Sequence, residues 1–291
     1  MNYLLSVVIG VAFGTVSRFV LLRTDFRQYP TYPQGRMIHL SFGFIAAFLG
    51  AVAVPSVLDS NWTAVTFLGL AATQFREVRR MERDTLEQVD LSELVKRGTP
   101  FIEGMAQAFE SRNYLVMFTA LVTTMLTVIN LWLGILGGIA MLFVVKQNMS
   151  GNILKSIANV IEGEIRFEGP NLFVGDIHIK NVGLKVNRDI IMERAVGAII
   201  IPKNENSVVT LSHLGQRQAM LHQVANVLGA YIDSGEPSFI PLSKRDMDDG
   251  RLALFIMPQE KDFNQVKTVL EKVPVLDSAI RLPSEGDKGK K

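Results

Sequence analysis

Cysteine is absent from the 291 residues, which excludes disulfide staples, thiolate metal sites and cysteine nucleophiles. Histidine is scarce, and His39, His178, His213 and His222 do not fall in the HExxH spacing of a zinc hydrolase. Neither GxxxxGKS/T nor GxGxxG occurs, so no phosphate loop or dinucleotide fingerprint is present, and the sequence implies no cofactor and no metal. Net charge is almost missing: 30 Lys and Arg against 28 Asp and Glu leave +2, and the arginines gather beside apolar runs rather than on one face. Nucleic acid is therefore not an expected partner. Met1 to Leu22 lacks the basic n-region and small-residue cleavage site of a secretory signal and predicts a retained membrane span.

What is present is a change of texture near Lys146, from a very apolar half to an ordinary one. Leu4 to Leu22 carries one charge, Arg18, near enough to its end to snorkel to a lipid headgroup. After a loop, Arg23 to Gly35, punctuated by Tyr29, Pro30, Tyr32 and Pro33, Met37 to Leu58 has the roughly twenty apolar residues a bilayer requires. Asp59 to Asn61 is a turn, Trp62 sits as an interfacial aromatic would, and Thr63 to Phe75 predicts a short third span. No ionisable side chain occurs from Tyr114 to Val145, which suffices for two tilted spans if the chain reverses near Asn130, Leu131 and Trp132. The alternative is one long helix that projects beyond the bilayer.

The pattern predicts a membrane all-α bundle of about five spans over residues 1–146, with a cytosolic loop at 76–113. Arg23, Arg27 and Arg36, then Arg76, Arg79, Arg80, Arg83, Lys96 and Arg97, then Lys146 and Lys155 all fall on one side if the count is five. The positive-inside rule then places the N-terminus outside the cell membrane and the C-terminal domain in the cytosol. Thr119, Thr123 and Thr127 share one helical face, and Gly134, Gly137 and Gly138 give the next helix a small-residue face. Close helix packing, with the hydroxyls bonded back to their own helix, is the plain reading; a polar lining is the sharper one. His39 reads as an interfacial residue or a proton-sensitive group. No Asp, Glu or Lys lies mid-span, which argues against a carboxylate relay or a two-aspartate intramembrane protease.

Within the cytosolic loop, Arg76 to Val95 has helical spacing with opposite charges three or four residues apart and is expected to continue span three. Gly98, Thr99 and Pro100 interrupt it before Phe101-Ile102-Glu103-Gly104-Met105-Ala106. That hexapeptide, with Phe109-Glu110-Ser111-Arg112-Asn113-Tyr114 after it and spans followed by a cytosolic domain, resembles the YIEGIA family of membrane proteins from spore-forming Firmicutes. The match departs at Phe101 and Met105. The resemblance implies a sporulation-associated membrane protein and supplies no catalytic residues. Read physically, Phe101, Met105, Ala108 and Phe109 form an amphipathic lead-in in the membrane interface, with Glu103 and Glu110, seven apart, on one face and pairing with loop arginines. A functional acidic site or a docking surface that includes Arg112 and Asn113 is the competing reading.

The second half predicts a cytosolic α+β domain: a polar connector from Gln147 to Asn159 and a small β unit to residue 197, then a ferredoxin-like βαββαβ domain over 198–285 and a disordered tail, 286–291. Short strands are expected between glycine breaks at Gly169, Gly175 and Gly183. Ala198 to Pro202, Phe239 to Ser243, Leu252 to Met257 and Ser278 to Leu282 are the expected strands, and Leu211 to Tyr231 and Asp262 to Lys272 the helices. Ser207, His213 and Asp233 do not amount to a triad, which is recognised by geometry.

Three functions fit. The leading expectation is a non-enzymatic membrane regulator or assembly subunit whose C-terminal domain binds a cytosolic protein or a second copy of the chain. The second is a membrane-embedded peptidase that uses Glu103 and Glu110 on a small regulatory protein. The third is a small mechanosensitive-type channel, suggested by a glycine-rich last span that feeds a β unit and an α/β domain.

Overall fold

The computed structural model describes residues 3–25, 35–147, 152–231 and 236–280. Arg27, the Tyr29 to Pro33 punctuation, Asp233 and the residues from 281 on, including Leu282 and the tail, lie outside them. The chain divides into a helical unit, Met1–Asp84 with Met105–Ser150, and a C-terminal unit, Thr85–Gly104 with Gly151–Lys291.

The helical unit is built from α1 (Leu4–Asp25), α2 (Gly35–Leu58), α3 (Trp62–Thr73) and the first part of α4 (Phe75–Asp90), then most of α5 (Thr99–Ile129) and α6 (Leu131–Gln147). Among the described residues three stretches are long and apolar enough to cross a membrane: Leu4–Leu22, Gly35–Leu58 and Thr99–Ile129. The expected five spans are thereby corrected to about three candidate spans. At 1.5 Å per residue α3 rises only about 18 Å and α6 about 25 Å, short of a hydrocarbon core of about 30 Å. α4 follows α3 after the single residue Gln74, which keeps helical angles of φ −65 and ψ −18, so the charged helix continues from α3 with a one-residue interruption.

Two tight reversals organise the helices. Between α2 and α3, Ser60 takes φ +54 and the Asn61 side chain accepts the Ala64 N–H at 3.0 Å. Between α5 and α6, the Asn130 side chain accepts the Trp132 N–H at 2.9 Å, and Gly134 and Gly137 come back against Thr127 and Leu126. Residues 114–145 are thus two antiparallel helices. Small residues let the backbones close: Gly50 lies on the backbone of Met117, and Gly14 faces Ala47 and Ala120. Leu21, Ala46, Ala47, Ala51, Phe75, Val116, Ala120 and Val145 form the core.

In the C-terminal unit, α7 (Leu154–Ile157) is a single turn and leads straight into β1 (Ala158–Gly163), so the expected polar connector ends in a strand. A three-stranded antiparallel sheet follows, β2 (Ile165–Glu168), β3 (Asn171–Val174) and β4 (Ile177–Asn181). Gly169 and Gly175 turn it at φ +63 and +62, conformations that side chains disfavour. Next come α8 (Lys185–Arg194), β5 (Val196–Pro202), α9 (Glu205–Ser212), α10 (Leu214–Leu228), β6 (Leu242–Arg245), β7 (Leu252–Ile256) and α11 (Phe263–Lys272), the last capped by Asp262.

The larger sheet runs β1-β5-β7-β6 and is antiparallel throughout. Every residue of β7 is buried, because both faces of the sheet are covered and an uninterrupted apolar strand is then favoured. Ile199, Ala253, Phe255 and Met257 pack with Leu172, Val174, Ile177 and Ile179 of the small sheet, while α9, α10 and α11 pack against the larger sheet as well.

The ferredoxin-like expectation does not hold as drawn. Its closing strand, Ser278 to Leu282, is replaced at Asp277–Ala279 by a 3₁₀ turn, and the edge beside β5 is taken by β1, which falls across the end of the expected connector and the start of the small β unit. Phe239 likewise ends a 3₁₀ turn, with β6 starting only at Leu242, and the helix expected from Leu211 is broken at His213 into α9 and α10.

Candidate functional site

Charge is concentrated inside the helical unit where α1, α2, α4 and α5 meet. Arg18 on α1 is 0% exposed, so the snorkelling expected of it is corrected: it points into protein. Gly43 on α2 makes this possible, since a Cβ there would lie 2.7 Å from Cβ and 3.0 Å from Cδ of Arg18. The Arg18 Nε donates to the His39 carbonyl at 3.2 Å, and its guanidinium sits 5.3 Å from the Phe109 ring centroid. His39 is buried too. Its Nε2 lies 3.3 Å from Glu82 Oε1 on α4, and its ring is 4.7 Å from that of Phe109. A donor at Nε2 satisfies this geometry whether the imidazole is neutral or protonated.

Phe109 on α5 is the hub, with Phe42 against its edge at 6.0 Å. One residue on, Glu110 is held by Arg79 at 3.1 Å, as the loop-arginine reading expects. Arg112 and Asn113 follow, both buried, and neither side-chain polar atom of Asn113 has a hydrogen-bond partner among the described residues.

A second arrangement lies in the C-terminal unit, in the segment that leads into the hexapeptide. Asp90 accepts the backbone N–H groups of Arg97 (2.7 Å) and Gly98 (3.1 Å), and its carboxylate lies 3.7 Å from the buried Arg97 guanidinium. This pins a turn in which Gly98 takes φ +78 against the Gln218 side chain. Pro100 then lies against Gly215, where a Cβ would be 2.8 Å from the Pro100 carbonyl oxygen. Phe101 and Ile102 are buried, and the Phe101 ring stands 6.5 Å from His222. His222 Nδ1 donates to the Val95 carbonyl at 2.7 Å. Burial above all, with the Arg97 charge, holds this imidazole below its ordinary pKa, although the bond to Val95 and the Glu93 and Asp90 charges act the other way.

Gln216, fully buried on α10, completes the arrangement: it donates to the Pro274 carbonyl at 3.1 Å and accepts the Leu276 N–H at 2.8 Å. These bonds hold the chain just before the 3₁₀ turn whose Ser278 packs on Gly104.

The predicted residues are therefore split. Phe101, Ile102, Glu103 and Gly104 belong to the C-terminal unit, and Met105, Ala106, Glu110, Arg112 and Asn113 to the helical one. Phe101, Met105, Ala108 and Phe109 are buried in protein, a correction to their expected place in a membrane interface. The Thr119, Thr123 and Thr127 hydroxyls donate to the carbonyls of Leu115, Thr119 and Thr123 at 2.9, 2.8 and 2.7 Å. Gly134, Gly137 and Gly138 meet Thr127, Leu126 and Phe13, the contacts of close packing. Ser207 donates to Asn204 at the start of α9, and His213 sits at the α9–α10 break.

Sequence reasoning did not single out Glu82, Gln216 or His222. His39 and Glu82 are 43 residues apart, so no local spacing could join them. The Asp90…Arg97-Gly98 turn was the one legible signal, an acid ahead of a glycine that ends a charged run. Among the described residues no group of His, Asp and Glu side chains is placed to hold a metal ion.

No solved structure matches the chain. The Bacillus subtilis (strain 168) protein named "Uncharacterized protein YphB" is 48% identical to it over 285 residues, 98% of this chain and 96% of the relative. The family model described as YIEGIA protein matches residues 6–286, from α1 through the C-terminal unit, and the chain belongs to the YIEGIA family.

Proposed function

We propose that this chain is a multi-pass protein of the cell membrane that acts as a regulator or assembly subunit and binds a cytosolic protein partner through its C-terminal unit. The observation that carries the reading is how the family hexapeptide is used. Phe101, Ile102, Met105 and Ala106 are buried and Gly104 packs on Ser278, so the motif serves as internal fastening. Glu110, one of the two acids a peptidase would need, is already held by Arg79. Both α4 and α5 begin in one unit and end in the other, an arrangement suited to passing a change along the chain.

The orientation we infer is supported by the charged end of the helical unit, where Arg18, His39, Arg79, Glu82, Glu110 and Arg112 collect near the start of α2 and of α4. In this reading that end faces the cytosol and the N-terminus lies outside. The link to sporulation rests on the family resemblance alone.

Pull-down of the full chain from solubilised membranes tests the function. One specific partner should be recovered and then lost when residues 160–285 are deleted; recovery of lipid and chaperones only would refute it.

A further inference from the structure

The C-terminal unit holds three basic side chains that no acid among the described residues matches. Arg217 lies one turn into α10 and His213 at the start of that helix, which has no side-chain cap; Arg245 ends β6, a strand on which α10 packs. The Nε atoms of both arginines and Nδ1 of His213 are buried with no hydrogen-bond partner among the described residues. Of the acids on the turn after β6, Asp249 and, at 3.7 Å, Asp246 lie against Arg251, which also binds Asp176 of the β3–β4 turn at 2.7 Å. What acts on Arg217 is burial and the like charge of Arg245, which together hold it below the usual arginine range. His213 is lowered in the same way, by burial and then by Arg217.

Two guanidinium groups on packed elements, each with its Nε buried and unpartnered, and an imidazole on the same helix as one of them, with no counter-charge among the described residues, are costly unless an anion joins them. A planar guanidinium matches a tetrahedral oxyanion through paired N–H donors, and two of them on different elements converge on one such group.

We infer that His213, Arg217 and Arg245 form a binding site for a phosphate group. The shared chemistry is a phosphate mono- or diester, carried either by a soluble molecule or by a lipid headgroup. The inference does not depend on the proposed regulatory role, since it concerns groups within the C-terminal unit only.

The test is calorimetric titration of the full chain in neutral detergent with inorganic phosphate at constant ionic strength, and separately hydrogen exchange of α10 and β6 in nanodiscs of phosphatidylglycerol or phosphatidylcholine. Saturable phosphate binding, weakened at least about tenfold by R217Q and again by R245Q, is expected for a soluble ligand. Protection of α10 and β6 in phosphatidylglycerol alone, lost in the double variant, assigns the site to a headgroup. R217K/R245K keeps the charge without the planar fork and should bind more weakly than the wild type. The ligand-free R217Q/R245Q chain should melt at or above the wild-type temperature, because a repulsion has been removed; a lower melting temperature would reveal an internal partner and overturn the inference. Wild-type protein with no response in either arm, or a double glutamine variant that binds as the wild type does, overturns it as well.

Discussion

Replacing His222 with phenylalanine should loosen the segment ahead of the family hexapeptide from α10 and remove a pH dependence from that contact. The variant keeps a ring beside Phe101 but loses the Nδ1–H donor that meets the Val95 carbonyl at 2.7 Å. A part-buried hydrogen bond lost this way costs about 1–2 kcal/mol. The pH dependence has a definite sign. The folded chain holds His222 below its ordinary value, chiefly by burial, whereas an unfolded chain titrates near pH 6.5. Above about pH 6.5 the imidazole is neutral in both states and its full contribution is present. As pH falls through that value the unfolded chain takes up the proton first, and stability drops until the folded value is passed, by about 1.4 kcal/mol for each tenfold preference for the neutral form. His213 acts with the same sign, so the readout must be local. Hydrogen exchange over residues 93–102, normalised for intrinsic rate, should show protection at pH 7.5 that falls at pH 5 in the wild type and stays flat in H222F. Equal protection at both pH values in the wild type, or an undiminished fall in H222F, would refute the reasoning.

Gly104→Ala should destabilise the chain by about 1–3 kcal/mol through overlap with Ser278, and S278A, which removes a buried hydroxyl with no partner among the described residues, should restore much of the loss in thermal melts. Gln216→Leu leaves the Pro274 carbonyl and the Leu276 N–H without their partner and should cost about 2–4 kcal/mol by the same assay; a cost under about 1 kcal/mol would mean that water replaces the clamp. Gly134→Val drives a side chain into the Thr127 backbone and should lower the yield of monodisperse protein on size exclusion in detergent, while G69V, at a glycine with open space around it, should not. Glu110→Gln breaks a pair whose arginine side chain is 38% exposed and should cost under about 1 kcal/mol.

Elements whose evidence is local were legible in the sequence. Hydrocarbon-length runs mark α1 and α2, the Asn130 interruption marks the α5–α6 reversal, glycines mark the turns of the small sheet, and Asp262 marks the start of α11. The errors arose where a residue's fate depends on something distant. Arg18 reads as a snorkelling charge until Gly43, 25 positions away, opens a slot for its stem. β1 does not read as a strand because a short edge strand with alternating polar residues declares itself only when β5 stands beside it.

The sequence by itself determined which stretches are apolar, where helices stop and turns begin, and to which family the signature points, because periodicity, capping and turn chemistry act over a few residues. Only the tertiary structure decided that Glu82 faces His39, that His222 and Gln216 fasten the segments on either side of α10, and that Arg251 rather than Arg217 or Arg245 collects the neighbouring acids. Such pairings are chosen by packing between elements, where burying one partner decides which distant group must satisfy it.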